Sequence, residues 1–360
     1  MKNIICMCNT YFQLITAIQL KLTIFDKDNV SLIISDYSND SYNICRNVRN
    51  VGLFENCYHI EIKDKNSKKK TVKEKISQCL NMINGKDKLW EGYLTGKFDE
   101  IIYYSQLDEI YTLYAKLSKI NPDIKVSRYE EGIFSYEGGV WSCFKVKVVD
   151  FIRHLFGKPV LKNEYLNFYC FYPELYIGKF NCIKIPTIHK NDKIQKILRQ
   201  IFVLSEDINR AYNYKYIYFS SVYDFEGGQS IHELELVRKI SNLVGNNNLL
   251  VKVHPRDDIQ RFKKAGLNVD ANSNIPWEVI QLSGDFSEKV FLTVNSSSAL
   301  SGSLLADNSP KIYYMYLLCD TAENKNAEKS VNVISRLISS DFVKKRGLEI
   351  KVVQDIQEIL

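Results

Sequence analysis

The sequence predicts an α/β protein in which two Rossmann-like domains each contain a parallel sheet. The chain has 360 residues, which exceeds one ordinary domain and suits two. Short apolar runs alternate with longer stretches of helical periodicity, and this alternation is typical of parallel sheets with right-handed crossovers. The alternation also restarts in the second half of the chain. We therefore predict a first domain at residues 1–195 and a second at residues 196–360.

The first series of elements begins at the amino terminus. Its predicted strands are short and apolar: 3–8, 30–35, 99–105 and 123–129. The helices predicted after the first three strands have helical periodicity: 11–24, 41–50 and 108–119.

The second series repeats the same alternation after an aromatic and charged stretch at 163–212, which we expect to carry the crossover between the domains. Its predicted strands are 214–221, 248–254, 290–294 and 311–316. Its predicted helices are 230–244, 257–265 and 297–306.

Composition excludes several classes of protein. No apolar run approaches the ~20 residues that a membrane-spanning helix needs. We interpret the opening residues as a buried strand that runs into a helix, and we expect a cytoplasmic protein. The nine cysteines are scattered and mostly in apolar runs, which favours free thiols over disulfides. Cys6 and Cys8 have no second Cys/His pair at zinc-like spacing, so we predict no metal site.

The net charge of +6 is modest, and no nucleic-acid-binding signature accompanies it. The stretch 144–162 mixes basic and large apolar residues. It fits an amphipathic helix packed on the core, or a surface that contacts anionic lipid or a lipid-linked acceptor. The sequence leaves both interpretations open.

Polar residues follow four predicted strands at the edge where open α/β sheets bind ligands. They are Glu130 and Glu131, Ser220 and Ser221, His254 and Pro255, and Ser296, Ser297 and Ser298. Each set has a structural explanation, because a glutamate pair suits a solvated turn and serines commonly cap helices. Together they predict a carboxylate, a histidine and hydroxyl-rich helix starts facing one cleft.

These residue types suit group transfer from a nucleotide. A serine-rich helix start favours an anion such as phosphate. A histidine beside it can donate a proton to a departing phosphate, and a glutamate can accept a proton from a hydroxyl group. Since no G-x-G-x-x-G and no P-loop motif occurs, dinucleotide and P-loop functions are not favoured. The combination predicts inverting sugar transfer from a nucleotide donor.

Three short motifs carry a resemblance to a known family. "EEG" at 130–132, "HP" at 254–255 and the serines at 296–298 resemble, in order, the motifs of bacterial sialyltransferases of the lipooligosaccharide and capsular polysaccharide type. "NIPWEVI" at 274–280 and "SSVYDFEGG" at 220–228 are similar to donor-side segments of these enzymes. The opening "CMCNTYFQLITA" also resembles the start of that group.

The resemblance implies a GT-B fold whose parallel sheets face a central cleft. It also implies CMP-sialic acid as donor, inversion at the anomeric carbon and no metal or other cofactor. The implied acceptor is a galactose-type hydroxyl of a capsular polysaccharide or lipooligosaccharide. The linkage formed and the lipid-linked nature of the acceptor stay open. It also stays open whether the cytoplasmic protein contacts the inner face of the membrane through 144–162, and whether it forms a homodimer.

The resemblance also assigns roles to residues. Glu130 is favoured over Glu131 as the base, and His254 is the acid that assists departure of CMP. Ser296 and Ser297 match the pair that binds the phosphate. Because three serines stand where two are expected, Ser298 is included. Further donor-binding candidates are Glu278 for the cytidine, and Lys252, Pro255, Ser220 and Ser221.

Two other functions remain compatible with these residues. One is another CMP- or CDP-linked transfer on the same architecture, such as a Kdo or glycerophosphate transferase. The other is a non-catalytic protein that binds a glycan or a nucleotide. Such a protein has no need for a carboxylate that faces a histidine.

Overall fold

A computed structural model describes residues 1–63, 71–104, 108–138, 144–161, 167–189, 192–205, 207–272, 274–305 and 310–360. The chain divides into two compact units. Unit 1 contains Met1–Glu131 and Ser135–Pro186, and unit 2 contains Gly132–Phe134 and Thr187–Leu360. The main boundary thus follows Pro186, whereas the sequence placed it after residue 195. The helix that begins at Lys193 belongs to unit 2, where Arg199 donates a hydrogen bond to the Ser283 carbonyl at 2.5 Å.

Within the described residues, unit 1 has a sheet of seven strands that all pair in parallel. The strands are β1 Asn3–Cys8, β2 Asn29–Ser35, β3 Asn56–Ile60, β4 Glu100–Tyr103, β5 Lys125–Tyr129, β6 Asn167–Cys170 and β7 Asn181–Lys184. The helices are α1 Tyr11–Leu22, α2 Ser41–Val51, α3 Val72–Asn84, α4 Asp108–Leu117 and α5 Phe144–Leu155. The strand order is β3-β2-β1-β4-β5-β6-β7, so the direction of winding reverses between β1 and β4.

Unit 2 has a second parallel sheet, with five strands among the described residues. They are β8 Tyr216–Phe219, β9 Leu249–Lys252, β10 Val290–Thr293, β11 Lys311–Tyr314 and β12 Ile350–Val352. The helices are α6 Lys193–Phe202, α7 Ile208–Ala211, α8 Glu233–Val244, α9 Ile259–Lys264, α10 Trp277–Ser283, α11 Ser298–Leu305, α12 Lys325–Ser339 and α13 Asp341–Lys345. The strand order is β12-β11-β10-β8-β9, so the direction of winding reverses between β8 and β10.

The prediction of two parallel sheets is confirmed, but four strands were missed. β3 is short and partly polar, and β12 has only three residues, so neither shows a strong apolar pattern. β6 and β7 lie in the stretch assigned to the crossover, and they extend the first sheet instead. Residues 105, 163–166, 190–191, 206 and 306 of the predicted elements and crossover lie outside the described residues.

Each sheet has its own apolar core. In unit 1, β1 and α1 are buried along nearly their whole length, and Thr10 and Gln13 form a capping box at the start of α1. In unit 2, Trp277 packs edge-to-face on Phe219 and Phe291 of the sheet. No helix in the described part of the chain is long and apolar enough to cross a membrane.

Candidate active site

Glu130 directly follows β5 and is directed into the interior of unit 1. Its side chain is 3% exposed, and its Oε2 accepts hydrogen bonds from the Tyr136 hydroxyl and from the Phe171 backbone N–H, the latter at 2.9 Å. Burial raises the pKa of this carboxyl to about 7, although both hydrogen bonds oppose the shift. Glu130 therefore ties the segment after β5 to the end of β6.

Glu131 is partly exposed, and its side chain lies at the carboxyl ends of the central strands. Hydrogen bonds from Thr10 and Gln13, at the start of α1, reach its carboxyl. Burial raises the pKa of Glu131 to about 7, and these hydrogen bonds and nearby Arg128 only partly offset the shift. Glu131 thus lies beside the reversal between β1 and β4, where sheets of this topology place ligands.

This arrangement differs from the prediction that favoured Glu130 as the base. Successive residues of an extended chain point to opposite sides, so only one glutamate can face the ligand edge. The structure turns Glu130 inward and Glu131 toward that edge. Gly132 has φ +95°, which glycine adopts freely, and a Cβ there would meet no atom within 4 Å. The glycine therefore serves the turn itself, since crowding does not require it.

Unit 2 has a cavity of about 180 Å³ at the carboxyl ends of its strands. Six predicted residues line it: Ser220, Ser221, His254, Ser296, Ser297 and Ser298. Arg256, Asn295 and Ser330 also line it and were missed. The serines follow β8 and β10, so the cavity lies at the reversal point of the second sheet. The structure thus brings together residues that the sequence separates by 78 positions, Ser220 to Ser298.

His254 is held in one tautomer by its own turn. The Arg256 backbone N–H donates to His254 Nδ1 at 3.2 Å, so Nε2 carries the ring proton. The His254 backbone N–H donates to Ser220 Oγ at 2.9 Å and fixes the turn to the end of β8. Burial, with a smaller effect of Arg256, lowers the pKa of His254 to about 4. At neutral pH the ring is therefore uncharged and has an Nε2–H donor.

The serine run ends at the start of helix α11. The Ser297 carbonyl accepts the first helical hydrogen bond, from the Ser301 N–H at 2.9 Å. The first N–H groups of a helix have no partner within the helix, and together with the helix dipole they favour an anion. Ser296, Ser297 and Ser298 are partly exposed and border the cavity. This end of the cavity can therefore bind a phosphate group.

Ser220 and Ser221 line the cavity, but their hydroxyl groups already have protein partners. Ser220 Oγ donates to Asp257 at 3.3 Å. Ser221 Oγ donates to Glu233 at 2.7 Å, and the Ser221 N–H contacts the same carboxylate at 3.0 Å. We therefore interpret both serines as residues that shape the cavity wall.

A buried ionic network behind this wall was missed. Glu233 is fully buried, and burial raises its pKa to about 7. Arg261 donates to Asp224 and, at 2.6 Å, to Asp257. Asn324 donates to the Glu226 carbonyl at 2.7 Å and also caps α12, so it fixes the loop after β8. The Gly-rich "FEGGQS" before α8 was the available sequence signal for a shaped loop.

Three predicted donor-binding residues do not line the cavity. Lys252 is buried, and its Nζ contacts Asp270 at 2.9 Å and the Asn272 carbonyl at 2.7 Å, so its charge is neutralised within the protein. Glu278 is buried, and its Oε1 accepts a hydrogen bond from Ser301 Oγ at 2.6 Å. Pro255 is exposed in the turn after His254. Among the described residues, no group of three or more His, Cys, Asp or Glu side chains could hold a metal ion.

The two units, each with a parallel sheet whose winding reverses beside its candidate ligand edge, form an α/β fold of the GT-B type. The fold agrees with that of the sialyltransferase from Photobacterium damsela. That structure has 10% sequence identity and a TM-score of 0.50, over 98% of this chain and 81% of that chain. The α/β-galactoside α-2,3-sialyltransferase from Photobacterium phosphoreum has 10% identity and a TM-score of 0.46, over 99% and 98% of the two chains.

The sequence comparison identifies the family. The model of the alpha-2,8-polysialyltransferase (POLYST) family matches residues 4–300, so the chain belongs to this family. The resemblance to bacterial sialyltransferases is thereby confirmed, and the protein is a glycosyltransferase of the sialyltransferase class. A search of curated proteins finds no match.

Proposed function

We propose that this protein transfers sialic acid from CMP-sialic acid to a glycan hydroxyl group, with inversion and without a metal ion. The main support is the unit 2 cavity, where His254 and the start of α11 meet at the strand reversal. Membership in the alpha-2,8-polysialyltransferase family favours an acceptor that already ends in sialic acid. The galactose-type acceptor predicted from the sequence is the alternative.

In this proposal the donor phosphate binds at the start of α11. The hydroxyl groups of Ser297 and Ser298 and the free helical N–H groups surround the phosphate, and His254 donates its Nε2–H. When the bond between the anomeric carbon and the phosphate oxygen breaks, negative charge accumulates on CMP. Fixed donors stabilise this charge more in the transition state than in the bound donor.

His254 acts as a neutral hydrogen-bond donor in the free enzyme. Its pKa of about 4 leaves too little imidazolium at neutral pH for full proton transfer. A phosphate monoester needs no full proton transfer to leave, because its second pKa is about 6. A bound anion beside the ring also raises the pKa of His254, so the charged form becomes more accessible in the donor complex.

Glu131 is the proposed base, in place of Glu130. The Glu131 carboxyl is partly exposed, and its pKa of about 7 suits a group that accepts a proton near neutral pH. It takes the proton of the acceptor hydroxyl as that oxygen bonds to the anomeric carbon. Glu130 is a positioning residue, because its contacts with Tyr136 and Phe171 fix the turn that presents Glu131.

CMP release tests the proposal directly. The purified protein is incubated in EDTA with CMP-sialic acid and either an α2,8-linked oligosialic acid or a galactoside, and CMP and the product are quantified. CMP-Kdo in place of CMP-sialic acid tests the rival donor. We expect acceptor-dependent CMP release in EDTA with CMP-sialic acid. Binding of CMP-sialic acid without turnover on any acceptor, or turnover with CMP-Kdo alone, would contradict the proposal.

A further inference from the structure

Unit 1 carries an apolar surface on two neighbouring helices. Large apolar side chains on α3 and on α5 with its following residue are exposed: Val72, Ile76, Leu80, Phe144, Val148, Phe151, Leu155 and Phe156. We call these eight residues the α3–α5 face. Of the eighteen exposed large apolar side chains in the described part of the chain, these two segments contain eight. Such concentration distinguishes the surface from single apolar residues, which are common on any protein.

Helical periodicity places these residues on the outer sides of both helices. In α3 they recur every four residues, and in α5 they follow the spacing 144, 148, 151 and 155. The opposite side of α5 is buried through Val146, Val149 and Arg153. The helix is therefore apolar on two sides, which packing against the unit 1 core alone does not require.

Contacts place α3 and α5 in the same outer layer. Helix α4 is buried from Glu109 to Ala115 and lies beneath them. Arg153 of α5 donates to the carbonyls of Met82 and Ile83, at the end of α3, at 3.3 and 3.0 Å. Gln78 of α3 and Lys145 of α5 both hydrogen-bond Asp108. The two apolar stripes therefore belong to one surface.

Positive charge borders this surface. Lys73, Lys75 and Lys147 are exposed on the same two helices, and the exposed acidic residue of α3, Glu74, caps the start of that helix with Thr71. Near the carboxyl ends of the helices, Lys119 has a lowered pKa because it is partly buried and because Lys86 and Lys158 are close to it.

The cluster of Lys86, Lys119 and Lys158 adjoins the apolar surface. The ammonium group of Lys158 lies 5.9 Å from the centre of the Phe156 ring. The sequence of α5 has one acidic residue, Asp150, which is half-buried with a raised pKa.

We propose that the α3–α5 face docks on the surface of a bilayer that contains anionic phospholipids. Exposed Phe and Leu side chains bordered by lysines are the composition of a helix surface that lies in the headgroup region. A second copy of this chain fits less well, because it would bring lysines against lysines. The inference goes beyond the proposed function and does not depend on it.

Vesicle binding by the full chain tests this inference. We expect co-sedimentation with vesicles of phosphatidylcholine mixed with phosphatidylglycerol, and much weaker binding to phosphatidylcholine alone or at high salt. The side chains of Phe151 and Leu155 are 62% and 65% exposed, so F151S/L155S should fold normally, as judged by circular dichroism and thermal melting. It should bind the anionic vesicles about tenfold or more weakly, since inserting one large apolar side chain changes an equilibrium constant at least that much.

Matched variants in unit 2 serve as controls. Leu317 is 57% exposed, and L317S should bind vesicles like the unchanged protein. Charge reversal K147E should weaken binding, whereas K263E on the exposed side of α9 should not. The inference is overturned if the unchanged protein ignores anionic vesicles, or if F151S/L155S binds them as well as L317S. A dimer that F151S/L155S dissociates, without vesicle binding, would instead identify the face as a self-interface.

Discussion

Exchanging each glutamate of the "EEG" turn for glutamine separates the two roles assigned to them. Glu131→Gln keeps the size of the side chain and removes its ability to accept a proton. Because a positioned base contributes about 10²–10⁴-fold in rate, we expect kcat to fall by that factor. Affinity for CMP should stay nearly unchanged, because the proposed phosphate site consists of unit 2 residues.

Glu130→Gln should have a much smaller effect, for a reason visible in its contacts. Tyr136 and Phe171 donate to the same oxygen, Oε2, and an amide oxygen can accept both hydrogen bonds. With a pKa of about 7, Glu130 is neutral in much of the folded protein at neutral pH, as glutamine is. We expect a stability change below about 1.5 kcal/mol, the net value of one hydrogen bond. Glu130→Ala should cost more, because each buried donor left unpaired costs about 1–3 kcal/mol.

The assay is steady-state CMP release as a function of pH, with thermal melting of each variant as the control for folding. In the unchanged protein kcat/KM should rise with pH through about 7, as the Glu131 carboxyl loses its proton. Glu131→Gln should lose this rise, and Glu130→Gln should keep it. Near-full turnover in Glu131→Gln would refute the assignment, and loss of turnover only in a well-folded Glu130→Gln would reverse it.

The remaining predictions concern unit 2. His254→Ala should lower kcat by about 10²-fold or more, since the donor to the departing phosphate is lost, and His254→Gln should recover part of this loss if Nε2–H acts by hydrogen bonding. In calorimetry, Ser297→Ala should weaken CMP binding by about 1.5–3 kcal/mol, the value of a hydrogen bond to a charged group, whereas Ser287→Ala on an exposed loop should not. Because the pKa of Glu233 is raised in the folded protein, its contribution to stability is complete below about pH 4.5 and is lost as the pH rises through about 7. Between these pH values, the free energy of unfolding of the unchanged protein should therefore fall by about 3 kcal/mol more than that of Glu233→Gln, as measured by denaturant unfolding. Plots of unfolding free energy against pH that run parallel for the two proteins would contradict this.

The sequence predicts the parallel sheets and half of the residues that line the cavity, because both depend on local patterns. Apolar runs mark the central strands, and ligands of such sheets bind beyond the strand ends. Ser220, His254 and the serines at 296–298 each follow a strong strand pattern, and the structure places them around one cavity.

The orientation of the glutamate pair depends on distant residues. Alternation along an extended chain shows that one glutamate must turn inward, but it cannot show which one. The answer depends on Tyr136 and on Phe171, which follows a strand that the sequence pattern did not reveal. Lys252 illustrates the same limit, since its partner Asp270 lies outside any local motif.

A crystal structure with bound CMP would show whether the unit 2 cavity is the donor phosphate site. We predict that the CMP phosphate lies in the unit 2 cavity, within hydrogen-bonding distance of His254 Nε2 and of the N–H groups or hydroxyls at Ser297 and Ser298. A phosphate bound outside this cavity, or bound in it without contact to either His254 or the start of α11, would show that these residues do not form the donor site.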